Sequence, residues 1–252
     1  FGLEINDIKA SSYIRQMASL IARSNYDVLH CHDQTMLHLG CKVKELKPNA
    51  TLIYDSHELF HLWPLNISQR AHKLLWAKSH AVRRYQVFRE RSHGSAIDYL
   101  ITVNDSLAEA LQPYFRMKAP PVVLRNAPEL LPAIDGQDIV RREFNIPADH
   151  KILVFIGANI YTNSLNLEAV IDQVGNARGM SFVFICGEGG NKKEVMEYVA
   201  SKGYSNIYFH GLIKPSEIQK YLASCDVGLV PTWNKNNLSY WYALDNKLFE
   251  YL

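Results

Sequence analysis

The sequence predicts an α/β protein made of two doubly wound domains, and three observations carry that prediction. Short apolar runs rich in β-branched residues alternate with helical patterns along the chain. The rhythm breaks in a stretch bearing Pro128, Pro132, Gly136 and Pro147, and then begins again. Almost every strand-like run ends on glycine or a polar side chain. Apolar runs bounded by turns and separated by helices read as buried parallel strands. In such sheets, ligands sit beyond the carboxyl ends of the strands.

The elements follow in order. Ile14, Met17, Ala18 and Ile21 share a helical face. Asp27 to Cys31 reads as a strand, and a further helical stretch leads to a second strand over Thr51 to Asp55. A long helix is expected from about Ser68 to Arg91, with Leu74, Leu75, Ala81, Val82, Tyr85 and Phe88 on one side. Tyr99 to Val103 and Val122 to Leu124 are the third and fourth strands. A linker is expected near 126–137, giving domains over 1–133 and 134–252. The second domain repeats the pattern, with strands over Ile152 to Ile156, Phe182 to Cys186, Ile207 to His210 and Val227 to Val230. Its helices are expected near 164–175, 191–202 and 215–224, and the chain closes in helix-like sequence from Asn246. It also opens in helix-like sequence without an initiator Met, so a piece lacking both ends is expected.

Composition narrows the class. With 252 residues, 48% of them hydrophobic, the chain can fill two ordinary cores. A net charge of +2 lacks the basic footprint of a nucleic-acid binder. Cys31, Cys41, Cys186 and Cys225 form no C-x-x-C pair and read as reduced, mostly buried thiols of a cytoplasmic protein. Ten histidines raise the question of a metal. The sequence reading counts no H-E-x-x-H helix, no H-x-H pair and no Cys/His ligand spacing, and so predicts none. No G-x-S-x-G motif or P-loop is present, against common hydrolases and ATPases.

Several segments, in this order, resemble family-four glycosyltransferases, which have the GT-B fold. Asp226-Val227-Gly228-Leu229-Val230-Pro231, followed by Asn246-Lys247-Leu248-Phe249-Glu250-Tyr251-Leu252, resembles their donor-binding region. Val28 to Asp33, Thr102 to Ser106, Leu124 to Pro128, Phe155-Ile156-Gly157, Ile185 to Gly189 and Phe209 to Leu212 support it. The resemblance implies an acceptor domain first and a donor domain second, with the active site between them. It implies a retaining transfer from a nucleotide-diphosphate sugar to a glycan or lipid-linked acceptor, with no cofactor and no essential metal.

On that resemblance the donor-binding candidates are Gly157, Asn159, Asn163, Gly187, Gly211, Leu212, Tyr242, Asn246, Lys247 and Glu250. Glu250 would hold the donor ribose; a carboxylate can accept two hydrogen bonds from vicinal hydroxyls. Its bland alternative is a solvated carboxylate favoured by the helix dipole. The helix expected after Gly157, capped by Thr162, Asn163 or Ser164, would receive the diphosphate on its free N–H groups. The family commonly carries cations at positions occupied here by Ala158 and by Asn163-Ser164; Lys247, or Lys235, can substitute. A second family carboxylate is replaced by Tyr242, which with Tyr240 and Trp241 reads either as a stacking wall or as core. Gly187-Glu188-Gly189-Gly190 and Gly211-Leu212 read equally as ligand-approach loops or as tight turns.

In the first domain, His57 is the catalytic candidate, orienting a hydroxyl or donating to phosphate, with Glu58 beside it. His32-Asp33 occupies a similar strand exit, where Asp33 can simply cap a helix. Seven Lys/Arg against one acid between Arg70 and Arg91 read as a solvated helix face, or as a peripheral contact with an anionic membrane at its cytoplasmic side. Two rivals to transfer remain. One is a GT-B nucleotide-sugar epimerase. The other is a nucleotide-binding interaction module without transfer activity, for which Ala158, Asn163-Ser164 and Tyr242 speak.

Overall fold

The computed structural model describes residues 6–63, 73–127, 138–160, 167–231 and 237–251. It divides into two compact units, one of Phe1–Arg125 with Asn236–Ala243 and one of Asn126–Lys235 with Leu244–Leu252. The expected linker lies mostly outside the described residues.

The first unit holds a parallel sheet of four strands in the order β1 (Val28–His32), β2 (Thr51–Ser56), β3 (Tyr99–Thr102) and β4 (Val122–Val123). Helices α1 (Asn6–Ala22), α2 (Asp33–Leu46), α3 (Lys73–Ser92) and α4 (Asp105–Phe115) lie between or before these strands. Helix α4 starts where Asn104 accepts a hydrogen bond from the Leu107 amide at 2.8 Å, an N-cap at a position expected only as a strand exit. Its buried Leu107, Leu111 and Phe115 join Leu37, Leu52, Tyr54 and Leu100 in the core.

The second unit repeats the architecture with β5 (Lys151–Gly157), β6 (Met180–Cys186), β7 (Ile207–His210) and β8 (Val227–Gly228) in the parallel order β7-β6-β5-β8. Helices α5 (Ile139–Glu143), α6 (Leu167–Asn176), α7 (Lys192–Lys202), α8 (Ile218–Leu222) and α9 (Asn246–Glu250) accompany them. Strands β5 and β6 are apolar on both faces because both faces are covered. Phe155, Phe182 and Phe184 belong to one core cluster, and Val154, Ile156, Val183 and Ile185 to the other. The chain steps from β5 through β6 to β7, then returns to place β8 on the far side of β5. That reversal is a topological switch point, where doubly wound sheets open a crevice at the carboxyl ends of the strands.

Both units pin a strand start in the same way. Asp98, just before β3, accepts from the Leu52 amide at 2.7 Å and from Lys44. Asp226, just before β8, accepts from the Ile152 amide at 2.8 Å and from Lys151 at 2.7 Å. The Lys151 hydrogen bond holds the Asp226 carboxyl below its ordinary range.

Helix α3 corrects the sequence reading. Tyr85 and Phe88, expected on its buried side, stand 56% and 70% exposed, while Glu90 is buried. Arg83 turns inward, donating to the carbonyls of Phe60 and Trp63, and Glu90 accepts from the Tyr114 hydroxyl at 3.1 Å. A shared helical face was legible; hydrogen bonding decided which face turned in.

Candidate functional site

In the first unit the strand exits carry charge. Successive side chains of a strand point to opposite faces, so His30 and His32 share one face of β1 while Cys31 takes the other. The parallel register sets His32 beside Asp55 of β2. His30 Nε2 lies 3.4 Å and His32 Nδ1 3.2 Å from Asp55 Oδ2, and His57 Nε2 lies 3.2 Å from Oδ1. The Asp55 side chain is only 12% exposed, whereas the imidazoles reach solvent. His57 Nδ1 also faces Asp33 at 4.0 Å.

Asp33 does not cap α2. It is the first residue of that helix, with left-handed backbone at φ 58°, and His32 occupies the cap position. Left-handed geometry at a non-glycine residue costs about 1–2 kcal/mol, and here it turns β1 into α2 without an intervening loop. Glu58 is engaged locally: its carboxylate accepts from Trp63 Nε1 at 2.7 Å and its carbonyl from Ser56 Oγ at 3.0 Å.

The segment 237–243 belongs to this unit. Asn104 Nδ2 donates to the Tyr242 carbonyl at 2.7 Å, and Ser239 Oγ accepts from the Leu59 amide at 3.1 Å. Trp241 is 66% exposed, and Tyr240 and Tyr242 are half-buried. Nothing local in the sequence signals this return of the chain to the first sheet.

In the second unit the strand exits carry glycine instead. Gly157, Gly187 and Gly211 follow or end the neighbouring strands β5, β6 and β7, so they share one rim of the sheet. The rim is tight between the first two exits. The Gly187 amide donates to the Ala158 carbonyl at 3.0 Å, and the Asn191 amide to the Ile160 carbonyl at 2.7 Å. A Cβ on Gly189 would stand 2.1 Å from Asn159 Oδ1, and one on Gly190, at φ +66°, would stand 2.2 Å from the Ile160 carbonyl. Gly190 is therefore required by the chain's own backbone, whereas Gly189 is crowded only by the Asn159 side chain. Gly211 has open space about it, with exposed Leu212 lying against Gly187. Asn163, Thr162, Ser164 and Lys235 lie outside the described residues; described α6 begins at Leu167.

Helix α9 seats at the switch point. The Tyr251 ring rests on Gly228 of β8, where a Cβ would stand 2.1 Å from Tyr251 Cγ. The Tyr251 hydroxyl accepts from the Ile156 amide at 3.1 Å and donates to the Leu229 carbonyl at 3.1 Å. It thus continues the hydrogen bonding of β5 where β8 stops. This seat puts Asn246, Lys247 and Glu250 on the segment docked beside the Gly157 exit. Lys247 Nζ lies 5.6 Å from the Phe155 ring centroid and 3.5 Å from Asp245 Oδ2. Partial burial raises the Glu250 carboxyl above its ordinary range, with Lys247 opposing the shift.

No known family model and no curated protein sequence matches the chain. Solved structures do. Sucrose-phosphate synthase from Thermosynechococcus elongatus superposes with a TM-score of 0.66 at 15% identity, over 92% of this chain and 57% of that one. HepE from Anabaena, solved in complex with UDP-glucose, gives 0.58 at 16% identity, over 85% and 55%. The lipopolysaccharide outer core galactosyltransferase WaaB gives 0.57 at 9% identity, over 100% and 61%. The chain thus spans little more than half the length of the structures it matches. At such identities the likeness establishes the fold, two parallel-sheet Rossmann-like halves of the GT-B class.

Proposed function

We propose that the chain is part of a glycosyltransferase that moves a sugar, as a hexosyltransferase does, from a nucleotide-diphosphate sugar to a glycan or lipid-linked acceptor. The observation that carries this reading is the docking of α9 at the β5/β8 switch point, with Glu250 and Lys247 beside a glycine-bearing rim. On this reading Glu250 holds the donor ribose, and Lys247 and backbone amides near Gly157 stabilise the departing diphosphate. His57 serves the reacting sugar and phosphate. Transfer proceeds with retention, no protein nucleophile is assigned, and the step calls for no metal. The outward Tyr85 and Phe88 of α3, set among Arg84 and Arg91, favour peripheral contact with an anionic membrane surface in the cytoplasm. Among the described residues no helix is long and apolar enough to cross a membrane.

Binding of UDP, GDP and their sugars by calorimetry tests the site. Glu250→Ala is expected to weaken nucleotide binding by about 1–3 kcal/mol; unchanged affinity removes the ribose assignment. Turnover of donor by the full-length protein separates transfer from the second reading, a nucleotide-binding module. That reading is favoured by Ala158, whose position offers no cation and whose carbonyl is committed to the Gly187 amide.

A further inference from the structure

His30, His32 and Asp55 take no part in the donor site proposed above. We propose that His30, His32 and Asp55 bind a divalent transition-metal cation of the zinc type. The sequence reading predicts no metal and overlooks His30-Cys31-His32, which is an H-x-H on a strand. It places two imidazoles on one face, and the ladder register supplies the third ligand from β2.

The geometry fits. Ligands held about 2.0–2.1 Å from zinc in a tetrahedron stand roughly 3.3 Å apart. The two imidazole–carboxylate edges here measure 3.4 and 3.2 Å, and all three ligand atoms fall within 4.8 Å of one another. An imidazole and carboxylate donor set suits zinc, copper or nickel better than magnesium or calcium.

The electrostatics fit as well. A carboxylate as buried as Asp55 needs compensating charge. Among the described residues its ion-pair partners are the three histidines, which carry charge only when protonated, and no Lys or Arg lies within 4.0 Å of it. A dication between His30 and His32 supplies that charge at Oδ2. His57, on the other oxygen, orients the carboxylate in the manner of an outer-shell partner. Cys31 is not a ligand. It points to the opposite face, where a Cβ on Gly40 would stand 2.4 Å from its sulfur, and burial pushes its thiol up to about 11. His30 and His32 are 42% and 59% exposed, so a bound cation keeps a coordination position open to water.

The test is a zinc titration of the full chain, stripped beforehand with a chelator, in competition with a zinc-responsive dye. One equivalent is expected to bind tightly. The double variant His30→Gln/His32→Gln, at exposed positions that leave the core intact, should lose at least about 100-fold in affinity, and His57→Gln about tenfold. Because imidazole must be unprotonated to ligate, affinity should fall in acid. Cobalt in place of zinc should give the intense visible bands of a low-coordinate site, absent from the double variant. Failure to bind at micromolar zinc overturns the proposal. So does equal affinity in the double variant with unchanged melting, which would put the cation elsewhere. Neither readout depends on sugar transfer, so this site and the donor site fail separately.

Discussion

The two sheets of this protein are alike in strand number and parallel direction, yet their carboxyl-end rims are made of different materials. The β1 and β2 exits end in ionisable side chains, with His30, His32 and His57 about Asp55 and Asp33 facing His57. The β5, β6 and β7 exits end in glycine, with backbone pressed on backbone and a short helix locked on by one tyrosine. Strand order accounts for part of the contrast. The second sheet reverses direction at β5/β8 and so has a switch-point crevice; the first runs β1-β2-β3-β4 without reversal among the described residues. A crevice suits a ligand that backbone amides must approach. A rim without one is better placed to offer side-chain chemistry.

The largest expected effect tests whether the glycine rim is filled by its own chain. Gly190→Ala forces a side chain into left-handed backbone and onto the Ile160 carbonyl, at a cost of roughly 2–5 kcal/mol. Gly211→Ala, in open space at the next exit, should change stability by less than about 0.5 kcal/mol. Urea unfolding of both variants checks this. Equal tolerance at the two positions would mean that the Gly187 to Gly190 turn is free to open.

The next test addresses charge in the first unit. Burial pushes the Glu90 carboxyl up to about 7, against the Tyr114 hydrogen bond and the Arg83 charge, which pull it down. The folded state therefore holds this proton more tightly than the unfolded chain. Stability from this group declines as pH rises from about 4.5 to about 7 and is level above that. Glu90→Gln keeps an acceptor for Tyr114 without the buried charge. It should stabilise the protein by about 1–3 kcal/mol at pH 8, and the gain should vanish near pH 5. His61 and His93, whose imidazoles burial pushes down to about 4, act in the opposite window: stability is lost as pH falls below about 6.5. A pH series of thermal melts on wild type and variant checks the sign. A gain that persists at pH 5 would show that packing, and not charge, is at issue.

Much of this architecture was legible in the sequence, and the omissions have physical causes. Strand exits were readable because apolar runs and turn residues are local signals. So Gly157, Gly187, Gly211, His57 and Glu58 could be named for chemistry from their places along the chain, and the strands fall within a few residues of their expected ranges. Which face of α3 turns inward was not readable. Periodicity groups residues on a face, whereas Arg83 and Glu90 turn in through partners at Phe60, Trp63 and Tyr114. Asp55 was missed for a related reason. Its meaning depends on a ladder register with β1, and no spacing along the chain encodes it. The return of 237–243 to the first unit rests on contacts such as Leu59 with Ser239, 180 residues apart.

The smallest effect reaches the donor proposal most directly. Burial pushes the Tyr251 phenol up to about 12, so it keeps its proton over the working range and donates to Leu229 while accepting from Ile156. Tyr251→Phe keeps the ring that covers Gly228 and removes both bonds, leaving the Ile156 amide without its partner. A loss of about 1–2 kcal/mol in stability is expected. If α9 presents Glu250 and Lys247 to a nucleotide, the same variant should also weaken nucleotide binding, because the segment carrying them loses its anchor while both side chains remain. Weakened folding with unchanged nucleotide affinity would separate the seat of α9 from ligand recognition. It would also remove the contrast between a rim that binds through backbone and one that binds through charge.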